Sequence, residues 1–213
     1  MLWGTPDGGE LELRAGRGSA RRLRGRFPYD KTAVLSDGGK DGRPKKETFA
    51  ARAFSYRVDD PEADIHILVG HDYDRPLASR GAGTLDLKDA DDALTFEAEI
   101  VPEVADAPYG RDFLGAFAAG LIRGVSPGFR IPPPVTVPNA EKVVEEDPKK
   151  GRALIRTIFQ ALLYELSLVT VPAYKEAGVE ERQIEARNWT PGTLILPERP
   201  DTGLRRTLGR WRV

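Results

Sequence analysis

Cysteine is absent from this chain of 213 residues, and histidine occurs only twice, as His66 and His71. Without cysteine there can be no disulfide bond, no thiolate nucleophile and no zinc site built on thiolates. Any chemistry that uses an imidazole, as a base or as a ligand, must use one of the two histidines. We expect neither a metal ion nor a cofactor.

Long apolar runs and an excess of one charge are missing as well. No stretch reaches the roughly 18 apolar residues of a membrane-spanning helix, and the N-terminus lacks the apolar centre of a signal peptide. The formal net charge is −1, whereas a domain dedicated to nucleic acid is usually strongly basic. The sequence therefore predicts a cytoplasmic protein that has no membrane partner and no specific nucleic-acid partner.

Arginine is concentrated at the two ends of the chain. These arginines are Arg14, Arg17, Arg21, Arg22, Arg24, Arg26, Arg205, Arg206, Arg210 and Arg212. We predict a flexible arm over residues 1–22, a folded domain over residues 23–178 and a polar, basic tail over residues 179–213. The two ends either bind an anionic partner or serve only to keep the protein soluble.

Most of the predicted elements are strands. Apolar and polar residues alternate over residues 94–100, which together with residues 84–88 predict a β-hairpin. Further strand patterns occupy residues 24–29, 32–35, 64–70, 125–131, 152–160 and 162–170. Apolar residues at helical spacing predict one prominent helix over residues 111–122, and residues 49–58 fit a short helix or a strand equally well. The sum is a mainly β domain of the α+β class, with one prominent helix and a few short ones.

Ser126 lies in the sequence Gly-Val-Ser-Pro-Gly, which matches the G-x-S-x-G nucleophile elbow of α/β-hydrolases. That elbow has a strand before the serine, a helix after it and a histidine later in the chain. Here the predicted helix precedes Ser126, the prolines at 132–134 prevent a helix after it, and no histidine follows. The hydrolase interpretation is therefore rejected. Ser126 therefore lies on a strand between two glycines. Either the glycines let another backbone or a substrate approach closely, or this strand of small residues simply packs against the helix.

Three segments together resemble a known family, the prohead proteases of tailed phages and gene transfer agents. Residues 68–72, Leu-Val-Gly-His-Asp, resemble the histidine segment of that family, and residues 120–129 resemble its serine segment. Residues 163–174, with the sequence Leu-Tyr-Glu-Leu-Ser-Leu-Val-Thr-Val-Pro-Ala-Tyr, resemble its third segment. Pro127 departs from the pattern, in which a branched aliphatic residue often follows the serine. Because proline has no backbone N–H, this position cannot donate to an oxyanion.

The resemblance implies a fold like that of the herpesvirus assemblins, a small closed β-barrel with packed helices. It implies a serine endopeptidase of capsid maturation, which cleaves a scaffolding protein or a scaffolding segment of the major capsid protein, and also itself. Such an enzyme acts in the host cytoplasm, inside the immature capsid or prohead, where we also expect a homo-oligomer. The alternative is a non-enzymatic capsid assembly or scaffolding protein on the same fold.

With this resemblance, we predict that Ser126 is the nucleophile, that His71 is its base and that Glu165 orients the base. A serine hydroxyl needs a base within hydrogen-bond reach, and the base needs an orienting partner. We expect His71 at the end of a strand, on the same face as Ile67 and Val69.

The other titratable groups near these residues are alternatives for the same roles. We expect His66 to point to the opposite face of its strand and to be structural. Glu165 lies among leucines, where a carboxylate is costly unless it is paired, and a bond to His71 would pair it. Asp72 and Asp74 remain rival partners for the imidazole because they follow it closely in the chain.

Overall fold

The structure, a computed structural model, describes residues 11–15, 20–39 and 42–172. The predictions for residues 1–10 and for the tail at 179–213 fall outside these residues, as do Ala173 and Tyr174 of the third family-like segment. No helix within the described ranges is long and apolar enough to cross a membrane.

Twelve strands and three helices are formed by the described residues. In chain order they are β1 (Leu11–Ala15), β2 (Arg21–Pro28), β3 (Thr32–Ser36), β4 (Lys45–Phe49), α1 (Ser55–Val58), β5 (His66–Val69), β6 (Asp72–Ser79), β7 (Leu85–Asp89), β8 (Ala93–Ile100), α2 (Pro102–Ala105), α3 (Pro108–Ala118), β9 (Gly124–Arg130), β10 (Glu141–Glu145), β11 (Leu154–Ile158) and β12 (Leu162–Val169). The predicted mainly β, α+β class is confirmed.

The strands form three four-stranded sheets, with the orders β1-β2-β8-β7, β10-β11-β4-β3 and β6-β5-β12-β9. A closed barrel requires one ring of paired strands without edges. In the part of the chain that the structure describes, each sheet instead has two edge strands, so the expectation of a closed barrel is not met. The residue patterns specify strands and their faces, but they do not specify which edges pair.

The predicted hairpin at residues 84–100 is confirmed as β7 and β8, which pair antiparallel. Leu94, Phe96 and Ala98 are buried, and the polar residues between them are more exposed. The undecided stretch at residues 49–58 contains the end of a strand and then a short helix, β4 and α1.

The prominent helix, α3, lies a few residues earlier than the predicted 111–122. Pro108 is at its first turn, where the missing N–H of proline leaves no helical bond unmade. After Ala118 the chain enters a left-handed conformation at Gly120, with φ +71°. The Leu121 amide donates to the Ala116 carbonyl and the Gly120 amide donates to the Phe117 carbonyl. These are the two bonds of a Schellman motif, which ends the helix before residue 122.

The first described strand lies earlier in the chain than the sequence predicts. The sequence predicts a flexible arm over residues 1–22, whereas β1 lies within that range, pairs antiparallel with β2 and contains the buried Leu11. The strand is only five residues long, too short for its pattern to stand out from its arginine-rich surroundings. The domain boundaries at 23 and 178 otherwise stay a prediction.

One apolar cluster takes side chains from all three sheets. Its aromatic centre includes Phe49 of β4, whose ring centroid lies 5.5 Å from that of Phe27 and 5.0 Å from that of Phe129 on β9. Because side chains alternate along a strand, the packing of the partly buried Phe129 against the cluster directs its neighbours Gly128 and Arg130 to the opposite face. That opposite face of the β6-β5-β12-β9 sheet is called the site face below.

Candidate active site

His71 lies in a two-residue turn and not at the end of a strand as predicted. β5 ends at Val69, which pairs with Asp72 of β6, and only Gly70 and His71 connect the two strands. Both have left-handed backbones, with φ +64° at Gly70 and +63° at His71. Two successive positive φ angles are the mark of a type I′ hairpin turn. The prediction that His71 shares the face of Ile67 and Val69 is therefore wrong, because the turn reorients the residue.

The imidazole of His71 contacts the carboxylate of Glu165. His71 Nδ1 and Glu165 Oε1 are 2.7 Å apart. An ionised carboxylate can only accept a hydrogen bond, so in this pair Nδ1–H donates, and the lone pair of Nε2 is left available to act as a base. The His71 side chain is 47% exposed, whereas that of Glu165 is 4% exposed. The contact therefore joins an accessible imidazole to a buried carboxylate.

A β-bulge places Glu165 on the site face. Leu163 pairs with Phe129 and Glu165 pairs with Gly128, so Tyr164 is an extra residue on β12. In an unbroken strand Leu163 and Glu165 would share a face. Because of the bulge, the buried side chain of Leu163 stays in the apolar cluster and Glu165 turns the other way.

Ser167 is a third member of this network, and the sequence prediction assigned it no role. Its Oγ donates to Glu165 Oε2 at 2.7 Å and accepts the backbone N–H of His71, also at 2.7 Å. The residue is fully buried. Ser167 thus holds both the second carboxylate oxygen of Glu165 and the left-handed backbone of His71. The sequence did contain a signal for this role. Ser167 follows Glu165 by two residues, and residues two apart on a strand share a face.

Gly128 makes room for the carboxylate. A Cβ built at this position would overlap Glu165 Oε1 and lie 2.6 Å from Cδ and 2.8 Å from Cγ. The sequence indicated that a glycine near Ser126 permits a close approach, and the group that approaches Gly128 is the side chain of Glu165. Any other residue here would displace the carboxylate.

Ser126 lies on the edge strand β9, directly opposite Ser167 of β12. Side chains of directly opposed residues lie on the same face, with Cβ atoms roughly 5 Å apart. Ser126 is half-buried, and its neighbours Val125 and Pro127 are buried on the other face. The hydroxyl of Ser126 is therefore presented on the site face, next to the residues that hold His71.

Among the alternative residues, Asp72 and His66 have other side-chain partners. Asp72 Oδ1 accepts the Asp74 amide at 2.9 Å, and Asp72 Oδ2 lies 3.3 Å from Arg75 Nε. His66 pairs in register with Glu165, so it lies on the site face, but its Nε2 is 3.4 Å from Asp64 Oδ2. The contact to the imidazole of His71 is made by Glu165.

Comparison with known families supplies an independent observation. Residues 33–189, well over half of the chain, match the family described as caudovirus prohead serine protease. The chain belongs to this family. The match spans all three segments on which the predicted resemblance was based, and that prediction is confirmed. Comparison with curated proteins and with solved structures finds no match.

As a prohead serine protease, the chain is a serine peptidase of phage capsid maturation. Enzymes of this kind act on capsid proteins inside the procapsid, within the host cell. The residues 11–15, 20–39 and 42–172 contain no group of three or more His, Asp and Glu side chains that could hold a metal ion.

Proposed function

We propose that this prohead protease cleaves its substrates with Ser126 as the nucleophile, His71 as the general base and Glu165 as the residue that orients the base. The observation that supports this best is the 2.7 Å contact between His71 Nδ1 and Glu165 Oε1, on the face to which Ser126 belongs. Such a contact fixes the tautomer in which Nε2 can accept the serine proton.

The proposed reaction uses these groups in two steps. The Oγ of Ser126 attacks the scissile carbonyl carbon while its proton passes to His71 Nε2, and the charge of Glu165 stabilises the imidazolium that forms. The imidazolium then gives its proton to the leaving amine, and an acyl-enzyme remains on Ser126. Water, deprotonated by the same imidazole, hydrolyses the ester and restores the serine.

The proposed substrates are the scaffolding protein or a scaffolding segment of the major capsid protein, together with the protease itself. To test this, the purified protein is incubated with its capsid precursor, and the products are identified by mass spectrometry. We expect discrete cleavage of the precursor and loss of a terminal segment from the protease. An intact precursor would favour the alternative, a non-enzymatic assembly protein, although the paired His71 and Glu165 support the enzyme.

Replacing Ser167 by Ala should lower kcat by about 10- to 100-fold and leave KM unchanged. The change leaves the His71 amide and one oxygen of Glu165 without a partner, and an orphaned buried polar group costs about 1–3 kcal/mol. KM should not change because Ser167 is fully buried and cannot touch the substrate. Steady-state kinetics of Ser167→Ala beside Ser79→Ala, which changes a serine of β6 in the same sheet, measures the effect.

A double variant separates this positioning role from a merely structural one. If Ser167 acts through Glu165, then Ser167→Ala should cost little further activity when Glu165 is already Gln. Full additivity of the two losses, or an unchanged kcat of Ser167→Ala, would contradict the positioning role.

The rate of cleavage should increase with pH over the range in which one imidazole loses its proton. Only a neutral imidazole can accept the serine proton. Because the chain has two histidines, His66→Gln should leave the pH profile of kcat/KM nearly unchanged, whereas His71→Gln should abolish turnover. A His66→Gln variant as inactive as His71→Gln would show that the base has been assigned to the wrong histidine.

A further inference from the structure

Beyond Glu165, the site face carries a second group of polar side chains that the proposed reaction does not use. Arg130 lies two residues after Gly128 on β9 and therefore on the same face as Ser126. Tyr164 is the bulged residue of β12, and Arg57 belongs to the short helix α1. These three residues are called the Arg57–Tyr164–Arg130 cluster.

Both guanidinium groups of the cluster lie against the tyrosine ring. Cζ of Arg57 is 4.5 Å from the centroid of the Tyr164 ring, and Cζ of Arg130 is 5.7 Å from it. Arg57 Nη2 donates to the Asp64 carbonyl at 2.9 Å, which fixes its position, while its buried Nε has no hydrogen-bond partner among the described residues. Arg130 is exposed.

Positive charge in the cluster is not neutralised by a direct ion pair. Within the ranges that the structure describes, no carboxylate lies within salt-bridge distance of Arg57 or Arg130. Tyr73 stands close by and is 59% exposed. Partial desolvation and the charge of Glu165 raise the pKa of Tyr73, and the charges of Arg130 and Arg57 oppose that shift. Two arginines and two tyrosines therefore border the site beside Glu165.

We propose that the Arg57–Tyr164–Arg130 cluster binds an acidic side chain, Asp or Glu, of the substrate peptide about four residues from the scissile bond. Arginine presents several N–H donors in a planar fork that suits a carboxylate. Tyrosine and arginine are enriched among the residues that contribute most binding energy at interfaces. The spacing follows from β9, since Ser126 and Arg130 are four residues apart, or about 13 Å along a strand. An extended substrate covers that distance with four residues.

This inference rests on the proposed role of Ser126, which supplies the reference point for the distance. The first test is to map the cleavage sites in the processed capsid precursor by mass spectrometry. Asp or Glu should recur three to five residues from the scissile bond. Synthetic peptides that span a mapped site, with that acid kept or replaced by its amide, then give kcat and KM for the wild type.

We expect the amide peptide to raise KM by about 10- to 100-fold with little change in kcat, since the contact is made equally in the ground state and the transition state. Arg130→Gln should raise KM for the acidic peptide by a similar factor and should not affect the amide peptide. Arg111→Gln, which changes an exposed arginine of α3, serves as the matched control and should keep the preference.

The outcomes separate the inference from the proposed function. Cleavage of both peptides with equal KM would contradict the acidic subsite and leave the catalytic assignment intact. The role of the two arginines would then be limited to packing against Tyr164. If the wild type cleaves neither peptide, the proposed function fails. Binding of the two peptides to Ser126→Ala, measured by calorimetry, then shows whether the cluster still prefers the acid.

Discussion

Ser126→Ala should abolish cleavage of the capsid precursor while the protein keeps its fold. Removal of a serine nucleophile lowers turnover by about 10⁶-fold in enzymes where the catalytic residues act as a unit. Alanine retains the Cβ and fits a strand position that is half-buried between two buried residues. The free energy of unfolding should therefore change by only about 0.5 kcal/mol, as is typical of substitutions that remove no buried partner.

The measurement pairs kinetics with a test of folding. Cleavage by Ser126→Ala is followed over long incubation, and thermal unfolding of the same sample is compared with the wild type and with Ser79→Ala. We expect loss of activity in Ser126→Ala alone, with three similar melting temperatures. Normal processing by Ser126→Ala would refute the serine mechanism proposed here, and an unfolded variant would show that the hydroxyl has a structural partner.

The sequence predicted the strands well where one face is buried. Over residues 94–100 the alternation is strict, because β8 packs one face on the apolar cluster and exposes the other. Residues 72–79 form β6 without such a pattern, since this strand is mostly exposed along its first half and contains Pro76. A strand at the edge of a sheet needs no apolar alternation, so its sequence carries little signal.

The position of His71 could not be obtained from strand alternation. The alternation of residues 65–69 predicts that His71 continues the same face, whereas the chain leaves the strand at Gly70. Glycine often marks such a turn, but a histidine with a positive φ is uncommon. A left-handed backbone at a non-glycine residue costs about 1–3 kcal/mol and persists only when its surroundings hold it. Here the hydrogen bond from the His71 amide to Ser167 Oγ helps to stabilise this backbone conformation.

The family resemblance predicts the role of Glu165, and its apolar neighbours support that role, but the direction of its side chain could not be predicted. With strict alternation Glu165 would lie on the same face as Leu163. Either the carboxylate would then be in the apolar core, or the leucine would be outside it. The bulge at Tyr164 resolves this conflict. A bulge depends on the pairing of two strands that are far apart in the chain, so the sequence of β12 alone does not reveal it.

The predicted role of Glu165 can be tested against two other carboxylates, those of Asp72 and Asp74. Asp72 and Asp74 are closer to His71 in the chain, yet Asp72 bonds to the Asp74 amide and lies near Arg75. Glu165 reaches the imidazole across 94 residues of sequence. Substituting each carboxylate by its amide preserves shape and removes charge, so the three variants differ only in which contact they disturb.

Glu165→Gln should lower kcat by between about 10² and 10⁴-fold, while Asp72→Asn and Asp74→Asn should each cost much less. The corresponding Asp-to-Asn change in the serine protease triad costs about 10⁴-fold, because an amide can hold the imidazole in the wrong tautomer. A longer glutamate side chain can adjust more, which sets the lower end of the range. Stability should barely fall, since a neutral amide is less costly to bury than a charge.

Gly128→Ala provides a second way to disturb the same contact without changing the carboxylate. The added Cβ would overlap Glu165 Oε1, so Glu165 must move away from His71, and activity should fall by a factor comparable to that of Glu165→Gln. Rates for all four variants are measured side by side at one pH, with melting temperatures as the check on folding. If Asp72→Asn or Asp74→Asn loses activity while Glu165→Gln and Gly128→Ala cleave normally, the residue that orients His71 is a carboxylate of β6, the strand that follows it. The 2.7 Å contact between His71 and Glu165 would then be incidental to catalysis.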